Sequence, residues 1–150
     1  MRMTLALILV ALRGSACALD EPLVIPFETD GARSVILLRA EVYDRPALLI
    51  LDTGSARTFL RPELVGIPVD VLPSSPFAEG PGLLARGRWS LATLRLGAKT
   101  WPHRRVISIR FDEVSRAYER QIDGILGQDV LREFRTVTID YEAKLLRLSR

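Results

Sequence analysis

The chain has 150 residues, of which 48% are hydrophobic and 26% charged, and its formal net charge is +3. This length suits one domain with its own core, and the composition excludes a disordered or fibrous protein. Its basic residues form no stripe, and Arg104-Arg105 is the only adjacent basic pair, so the sequence gives little support to nucleic-acid binding.

The N-terminal residues 1–18 have the features of a secretory signal peptide. Arg2 precedes an apolar run from Met3 to Leu12, and the small residues Ala16 and Ala18 follow, as at a signal cleavage site. The run is too short to span a bilayer of roughly 30 Å as a helix. We therefore expect an exported protein, periplasmic or secreted, with one mature domain over 19–150. The alternative is a buried N-terminal strand or helix.

Cysteine and histidine are too scarce for several kinds of site. Cys17 is the only cysteine and His103 the only histidine. Cleavage after Ala18 would exclude disulfides, a cysteine nucleophile and cysteine metal ligands. A single histidine gives little support to a serine hydrolase, which needs a histidine base near its nucleophile, or to a zinc site, which usually takes several histidine or cysteine ligands. We therefore expect no metal and no cofactor. Gly14–Cys17 loosely resembles a lipoprotein box, which leaves a lipid anchor through Cys17 as a second interpretation.

Downstream of residue 22, short apolar or β-branched runs alternate with turn residues, a pattern typical of β-strands. Alternation at Val65, Ile67, Val69 and Val71 predicts an additional edge strand, interrupted by Pro68. The other predicted strands are Leu23–Phe27, Ser34–Val42, Ala47–Leu51, Thr58–Leu60, Leu91–Leu96, Val106–Ile109, Thr136–Tyr141 and Leu145–Leu148.

Helical spacing is confined to one place. Val130, Leu131 and Phe134 are apolar at helical intervals, which predicts a short helix over Gln128–Phe134. The polar segment Arg116–Gln121 is expected to be a loop. The fold class is therefore mainly β, a single domain with one short helix on the C-terminal side.

The candidate functional residues follow the most apolar predicted strand. Asp52 comes directly after Ala47–Leu51, and an unpaired carboxylate inside a core strand costs several kcal/mol. Asp52 avoids that cost if it lies at the strand end and faces a cleft. Thr53 adds a hydroxyl, and Gly54 permits a tight turn and a close backbone approach. Because these are also ordinary turn residues, a simple strand-to-turn exit remains the alternative.

Two segments together resemble a known family. Leu49–Ser55 resembles the active-site loop of aspartic proteases. Asp123–Leu131 resembles the second signature of the single-domain, retropepsin-like branch, in which two apolar residues and a glycine precede a short helix. The resemblance, closest to exported bacterial members, runs over roughly 23–148 and implies a closed acid-protease-type β-barrel. It also implies that Ile125, Leu126 and Gly127 pack behind the active-site loop as structural support.

The resemblance implies a catalytic pair of aspartates that share one proton and activate a water molecule. This sequence has one Asp-Thr-Gly, so the second aspartate must be Asp52 of another copy, which makes the active form a homodimer. Thr53 is implied to hydrogen-bond across the dimer axis, Gly54 to supply backbone contacts beside the carboxylates, and Ser55 to donate a hydrogen bond to Asp52.

The expected partners are peptide or protein substrates and a second copy of the chain. Gly80-Pro81-Gly82 is predicted to lie near the tip of a flap hairpin that closes over the substrate, with an ordinary surface loop as the alternative. Trp89 and Trp101 either line the cleft or, as tryptophans more often do, lie in the core. The alternative function is an exported, non-catalytic peptide-binding or dimerisation module, against which the intact Asp52-Thr53-Gly54 argues.

Overall fold

The computed structural model describes residues 21–30, 35–67 and 87–150. Over these ranges the protein is mainly β, with two short α-helices, α1 (Asp112–Ala117) and α2 (Gln128–Leu131), and a 3₁₀ helix over Pro62–Val65. The strands are β1 (Leu23–Asp30), β2 (Val35–Val42), β3 (Arg45–Leu51), β4 (Phe59–Leu60), β5 (Arg88–Leu96), β6 (Lys99–Ser108), β7 (Gly124–Leu126), β8 (Thr136–Asp140) and β9 (Leu145–Ser149).

Six of the strands close into a barrel in the order β2–β3–β7–β4–β6–β5, with β5 pairing back onto β2. The predicted closed barrel is thus confirmed. The second half of β1 pairs with β2 and its first half with β9, so that β1 leads out of the barrel into a sheet with the β8–β9 hairpin. The parallel pairing of β3 with β7 brings the two signature segments side by side.

Strand β3 is buried on both faces, as its continuous apolar run predicts. Leu49 and Leu51 belong to the cluster that fills the barrel. Leu48 and Ile50 join a second apolar cluster, built with Phe59, on the other face of the sheet. Two layers of packing therefore fix the strand that carries Asp52 at its end.

Two local predictions were wrong in part. The predicted loop Arg116–Gln121 is confirmed from Tyr118 onward, whereas Arg116 and Ala117 end α1, whose first turn carries Asp112 and Glu113 and whose last turn carries Arg116. Acidic residues at the start of a helix and a basic residue at its end interact favourably with the helix dipole. Val114 also packs against the second apolar cluster. Val65 ends the 3₁₀ helix instead of opening an edge strand, because Pro62 begins a helical turn that Gly66 ends at a φ of 71°.

Several predictions fall outside the described residues: the signal peptide with Cys17, the rest of the predicted edge strand, and the flap residues Gly80, Pro81 and Gly82.

The helix α2 is shorter than the predicted Gln128–Phe134. No helix in the described ranges combines the length and the apolar character that crossing a bilayer requires.

Candidate active site

Asp52 lies immediately beyond the end of β3, as predicted. Its backbone N–H donates to the carbonyl of Leu126 over 3.1 Å, which continues the β3–β7 pairing by one residue. Leu51 is buried, Asp52 is partly buried and Thr53 is exposed. The change from core to solvent over three residues places the carboxylate at the rim of the barrel.

The two oxygens of the Asp52 carboxylate have different surroundings in the part of the chain that the structure describes. Oδ1 accepts hydrogen bonds from the backbone N–H groups of Gly54, at 2.8 Å, and Ser55, at 3.2 Å. No donor among the described residues reaches Oδ2. A Cβ on Gly54 would lie 3.2 Å from Oδ1, tighter than most contacts. The glycine therefore lets the backbone approach the carboxylate and fix its orientation.

The hydroxyl of Ser55 differs from its sequence-based expectation. Its Oγ donates to the carbonyl of Arg57 over 2.8 Å, so Ser55 contacts Asp52 only through its backbone N–H. The side-chain amide of Gln128 donates to the carbonyl of Thr53 over 2.8 Å. The Asp52–Ser55 turn, hereafter the active-site loop, is thus held by side-chain hydrogen bonds at Thr53 and at Ser55.

The segment behind the active-site loop is held by close backbone contact. Ile125 and Leu126 are buried, and the N–H of Gln128 donates to the carbonyl of Ser55 over 2.8 Å. A Cβ on Gly127 would lie only 2.2 Å from the carbonyl oxygen of Arg57. Since real Cβ atoms do not come that close, only glycine permits this approach.

Thr58 and Asp129 form a support that sequence reasoning missed. Thr58 is fully buried, and its hydroxyl donates to Asp129 Oδ1 over 2.7 Å and accepts from the Gly127 N–H over 3.2 Å. Arg104 binds the backbone carbonyl of Asp129 and the carboxylate of Glu133. The partners lie up to 71 residues apart, so no local pattern could have paired them.

Glu133, which follows the C-terminal end of α2, completes this network. Its carboxylate accepts from the indole N–H of Trp101 over 2.7 Å and pairs with Arg104. Partial burial raises the pKa of Glu133, but the hydrogen bonds from Trp101 and Arg104 and the charge of Arg104 outweigh it, so that the pKa lies below its usual value of 4.5. Trp101 is accordingly a core residue, whereas Trp89 is 44% exposed.

Asp123 is a second carboxylate close to this part of the barrel. It is 4% exposed, and its Oδ2 accepts from the Leu48 N–H over 2.8 Å. Its Oδ1 accepts from the Gln121 amide over 2.7 Å and lies 2.9 Å from Nε of Arg61, an ion pair outside hydrogen-bond geometry. Both oxygens are occupied, which makes Asp123 a structural carboxylate.

An apolar cavity of about 470 Å³ adjoins the Asp52 carboxylate. It combines a concave apolar surface with few polar groups, which is the usual character of a ligand site. Its lining includes Ile50, Asp52, Thr53, Val114, Tyr118 and Ile125. No group of three or more metal-ligating side chains gathers within the ranges 21–30, 35–67 and 87–150. The site as described therefore offers a carboxylate and an apolar pocket.

Comparison with known proteins identifies the fold. No protein-family model and no curated protein matches the sequence. The structure is similar to the crystal structure of a retropepsin-like aspartic protease from Rickettsia conorii, with a TM-score of 0.57, 16% identity, and coverage of 85% of this chain and 89% of that one. It also matches the retroviral protease-like domain of Ddi1 from Leishmania major, with a TM-score of 0.46, 14% identity, and coverage of 76% and 87%. The first of these two similarities shows that the chain has a retropepsin-like fold.

Proposed function

We propose that the protein is an aspartic endopeptidase that hydrolyses peptide bonds as a homodimer, with one Asp52 from each copy. The observation that carries the proposal is the Asp52 carboxylate at the end of β3, fixed through Oδ1 and with Oδ2 left free among the described residues. The retropepsin-like fold supports it. The chain has one Asp-Thr-Gly, so the catalytic pair requires a second copy.

In the proposed reaction the two Asp52 carboxyl groups share one proton, because like charges about 3 Å apart cannot both ionise. The ionised carboxylate takes a proton from a water molecule, whose oxygen attacks the peptide carbonyl carbon. The protonated partner donates a hydrogen bond to the carbonyl oxygen and stabilises the tetrahedral intermediate. Collapse of the intermediate breaks the C–N bond, and a carboxyl proton passes to the leaving amine.

The residues around Asp52 are suited to meet a second copy. Thr53 is exposed at the tip of the active-site loop and is held there by Gln128. In the proposed dimer its hydroxyl bonds across the two-fold axis, where an isologous contact is repeated from both sides. Gly54 supplies the close backbone approach beside the carboxylates. The proposal also includes a flap hairpin that closes over the substrate, with Gly80, Pro81 and Gly82 near its tip.

The apolar cavity indicates the class of substrate side chain. Ile50, Val114 and Ile125 give it an aliphatic lining beside Asp52. Burying a leucine- or phenylalanine-sized side chain there is worth roughly 1.5–3 kcal/mol. We therefore expect cleavage of peptides that carry a bulky apolar residue next to the scissile bond. The proposal takes residues 1–18 as a signal peptide, so its substrates are periplasmic or extracellular, with lipid attachment through Cys17 as the variant.

The test uses the purified wild-type protein and an Asp52→Asn variant, each incubated with a diverse peptide library from about pH 4 to about pH 7, a range that brackets a shared carboxylate proton. A sizing column reports the dimer content of both. Cleavage by the wild type alone supports the proposal and yields the preferred sequences. A folded, dimeric wild type that binds peptides without cutting them would instead favour the peptide-binding module.

A further inference from the structure

Two arginines converge on one exposed indole beside the active-site loop. The guanidinium carbon of Arg57 lies 5.7 Å from the ring centroid of Trp89, and that of Arg105 lies 4.4 Å from it. All three side chains are exposed. Both distances lie within the range of about 6 Å for a cation–π contact, so the indole holds two like charges near each other at the surface.

Neither cation is neutralised by the residues that the structure describes. Arg57 and Arg105 have no carboxylate partner among them. The neighbouring Arg104 is different, since it pairs with Glu133 and binds the carbonyl of Asp129. The chain thus places a satisfied arginine next to an unsatisfied one on the same strand. Two guanidinium groups that share one ring and have no carboxylate partner in the described ranges form a ready site for an anion.

The two arginines also line a groove of about 460 Å³. Among the residues that the structure describes, its charged lining consists of Arg57, Lys99, Arg104, Arg105 and one carboxylate, Asp129. That carboxylate is already occupied, because Oδ1 accepts from Thr58 and Oδ2 lies 3.8 Å from Arg104. The groove therefore has an excess of positive charge, which favours an acidic ligand.

The groove begins where the active-site loop ends. The carbonyl of Arg57 accepts the hydroxyl of Ser55, and Ser55 donates its backbone N–H to Asp52. A peptide that lies extended advances about 3.3 Å per residue. A substrate that crosses Asp52 toward Ser55 reaches the groove within a few residues of the scissile bond.

We propose that the groove lined by Arg57 and Arg105, whose guanidinium groups both contact the neighbouring Trp89, is a substrate subsite that binds an aspartate or glutamate a few residues away from the scissile bond. This inference rests on the proposed protease function and adds a substrate class to it: peptides with an apolar residue at the cut and an acidic residue on one side. The planar guanidinium groups bind the carboxylate, and the indole face between them excludes water from one side of the pair.

The first experiment is a glutamate scan of a peptide that the wild-type protein cuts. Glutamate replaces glutamine at each position in turn, and kcat/KM is measured for each pair. At one or two positions on the same side of the cut, glutamate should raise kcat/KM about fivefold, mainly through KM, and about 0.5 M salt should reduce the gain. In the double variant Arg57→Gln/Arg105→Gln the ratio should fall to about one.

A matched control removes the same charge elsewhere. Arg132 is exposed and has no ion pair among the described residues, so Arg132→Gln should keep the wild-type glutamate preference. The single variant Arg105→Gln, on a strand surface, serves if the double variant does not fold. The proposal is overturned if no position favours glutamate, or if the preference survives in the arginine variants.

The second experiment separates this inference from the protease proposal. Binding of the same peptides to the Asp52→Asn variant is followed by tryptophan fluorescence, to which the exposed Trp89 should contribute. Tighter binding of the glutamate peptides that is lost in Arg105→Gln supports the subsite even when no cleavage is found. Cleavage without any such difference overturns the subsite and leaves the protease proposal standing. Arginine-dependent binding of inorganic phosphate without binding of acidic peptides also overturns it.

Discussion

Asp52 and Asp123 are two carboxylates associated with the same strand, yet their surroundings are opposite. Asp123 binds the backbone of β3 at Leu48, is 4% exposed, and has both oxygens occupied. Asp52 follows the end of β3, is partly buried, and has one oxygen engaged. A fully occupied carboxylate stabilises a fold, whereas one that is fixed in orientation and keeps an oxygen without a donor among the described residues is available for chemistry.

The largest expected effect comes from Asp52 and falls on activity. In Asp52→Asn the amide cannot take a proton from water, so proteolysis should fall by at least about 1,000-fold, equivalent to about 4 kcal/mol of transition-state stabilisation. Thermal unfolding should change little, because the amide oxygen can still accept from Gly54 and Ser55. Peptide-cleavage rates measure the loss of activity, and a melting curve measures the thermal stability. Retained cleavage in a sample free of other proteases would contradict the assigned role.

Asp123 should show the reverse. Asp123→Asn removes the charge opposite Arg61 and sets an amide N–H₂ against a donor, so we expect a loss of about 2–3 kcal/mol in the free energy of unfolding. The matched control is Asp112→Asn, whose carboxylate is 61% exposed and pairs with Arg110, and which should cost at most about 0.5 kcal/mol. Denaturant titration measures both. Equal effects would show that burial of Asp123 contributes nothing.

Gly127 tests whether the backbone support behind Asp52 matters. Gly127→Ala places a methyl group against the carbonyl of Arg57, which lies 2.2 Å from the ideal Cβ position, so the loop or β7 must shift. We expect a loss of about 2 kcal/mol in stability and a lower kcat. Gly66→Ala is the control, because no atom lies within 4 Å of its Cβ position and only its φ of 71° opposes the change, at about 1 kcal/mol. A Gly127→Ala protein as stable as Gly66→Ala would contradict the close-packing argument.

The sequence predicted those parts of the molecule whose signals are local. The apolar run Ala47–Leu51 predicted a strand buried on both faces and an aspartate at its end, and both features are present. The close approach of Gly127 and the buried hydrogen bonds of Thr58 were not predictable, because their partners come from distant segments. α1 was missed because its dipole-favouring acids, Asp112 and Glu113, precede the segment that was assigned to a loop.

The smallest expected effect concerns Glu133 and depends on pH. The pKa of Glu133 in the folded protein is lowered from 4.5, as its hydrogen bonds from Trp101 and Arg104 and the charge of Arg104 outweigh partial burial. A lowered folded pKa gives stability that is present above the unfolded value and is lost as the pH falls through the folded value. Because the side chain is 33% exposed, screening limits the contribution to about 0.5–1 kcal/mol.

Glu133→Gln should therefore be less stable than the wild type at about pH 7, and the difference should shrink as the pH falls below about 4.5. Glu28→Gln is the matched control, since the pKa of Glu28 is also lowered, first by its hydrogen bond from Arg39. The two side chains are similarly exposed, at 39% and 33%, but the side-chain partners of Glu28 are guanidinium groups, whereas Glu133 also accepts from the indole of Trp101. The effect of Glu28→Gln should be smaller and should vanish at high salt, whereas that of Glu133 should persist. Melting curves at several pH values and two salt concentrations separate the two. A Glu133→Gln effect that disappears with salt would mean that the contact between Arg104 and Glu133 is a surface ion pair, which leaves the buried Thr58 as the main side-chain support of Asp129.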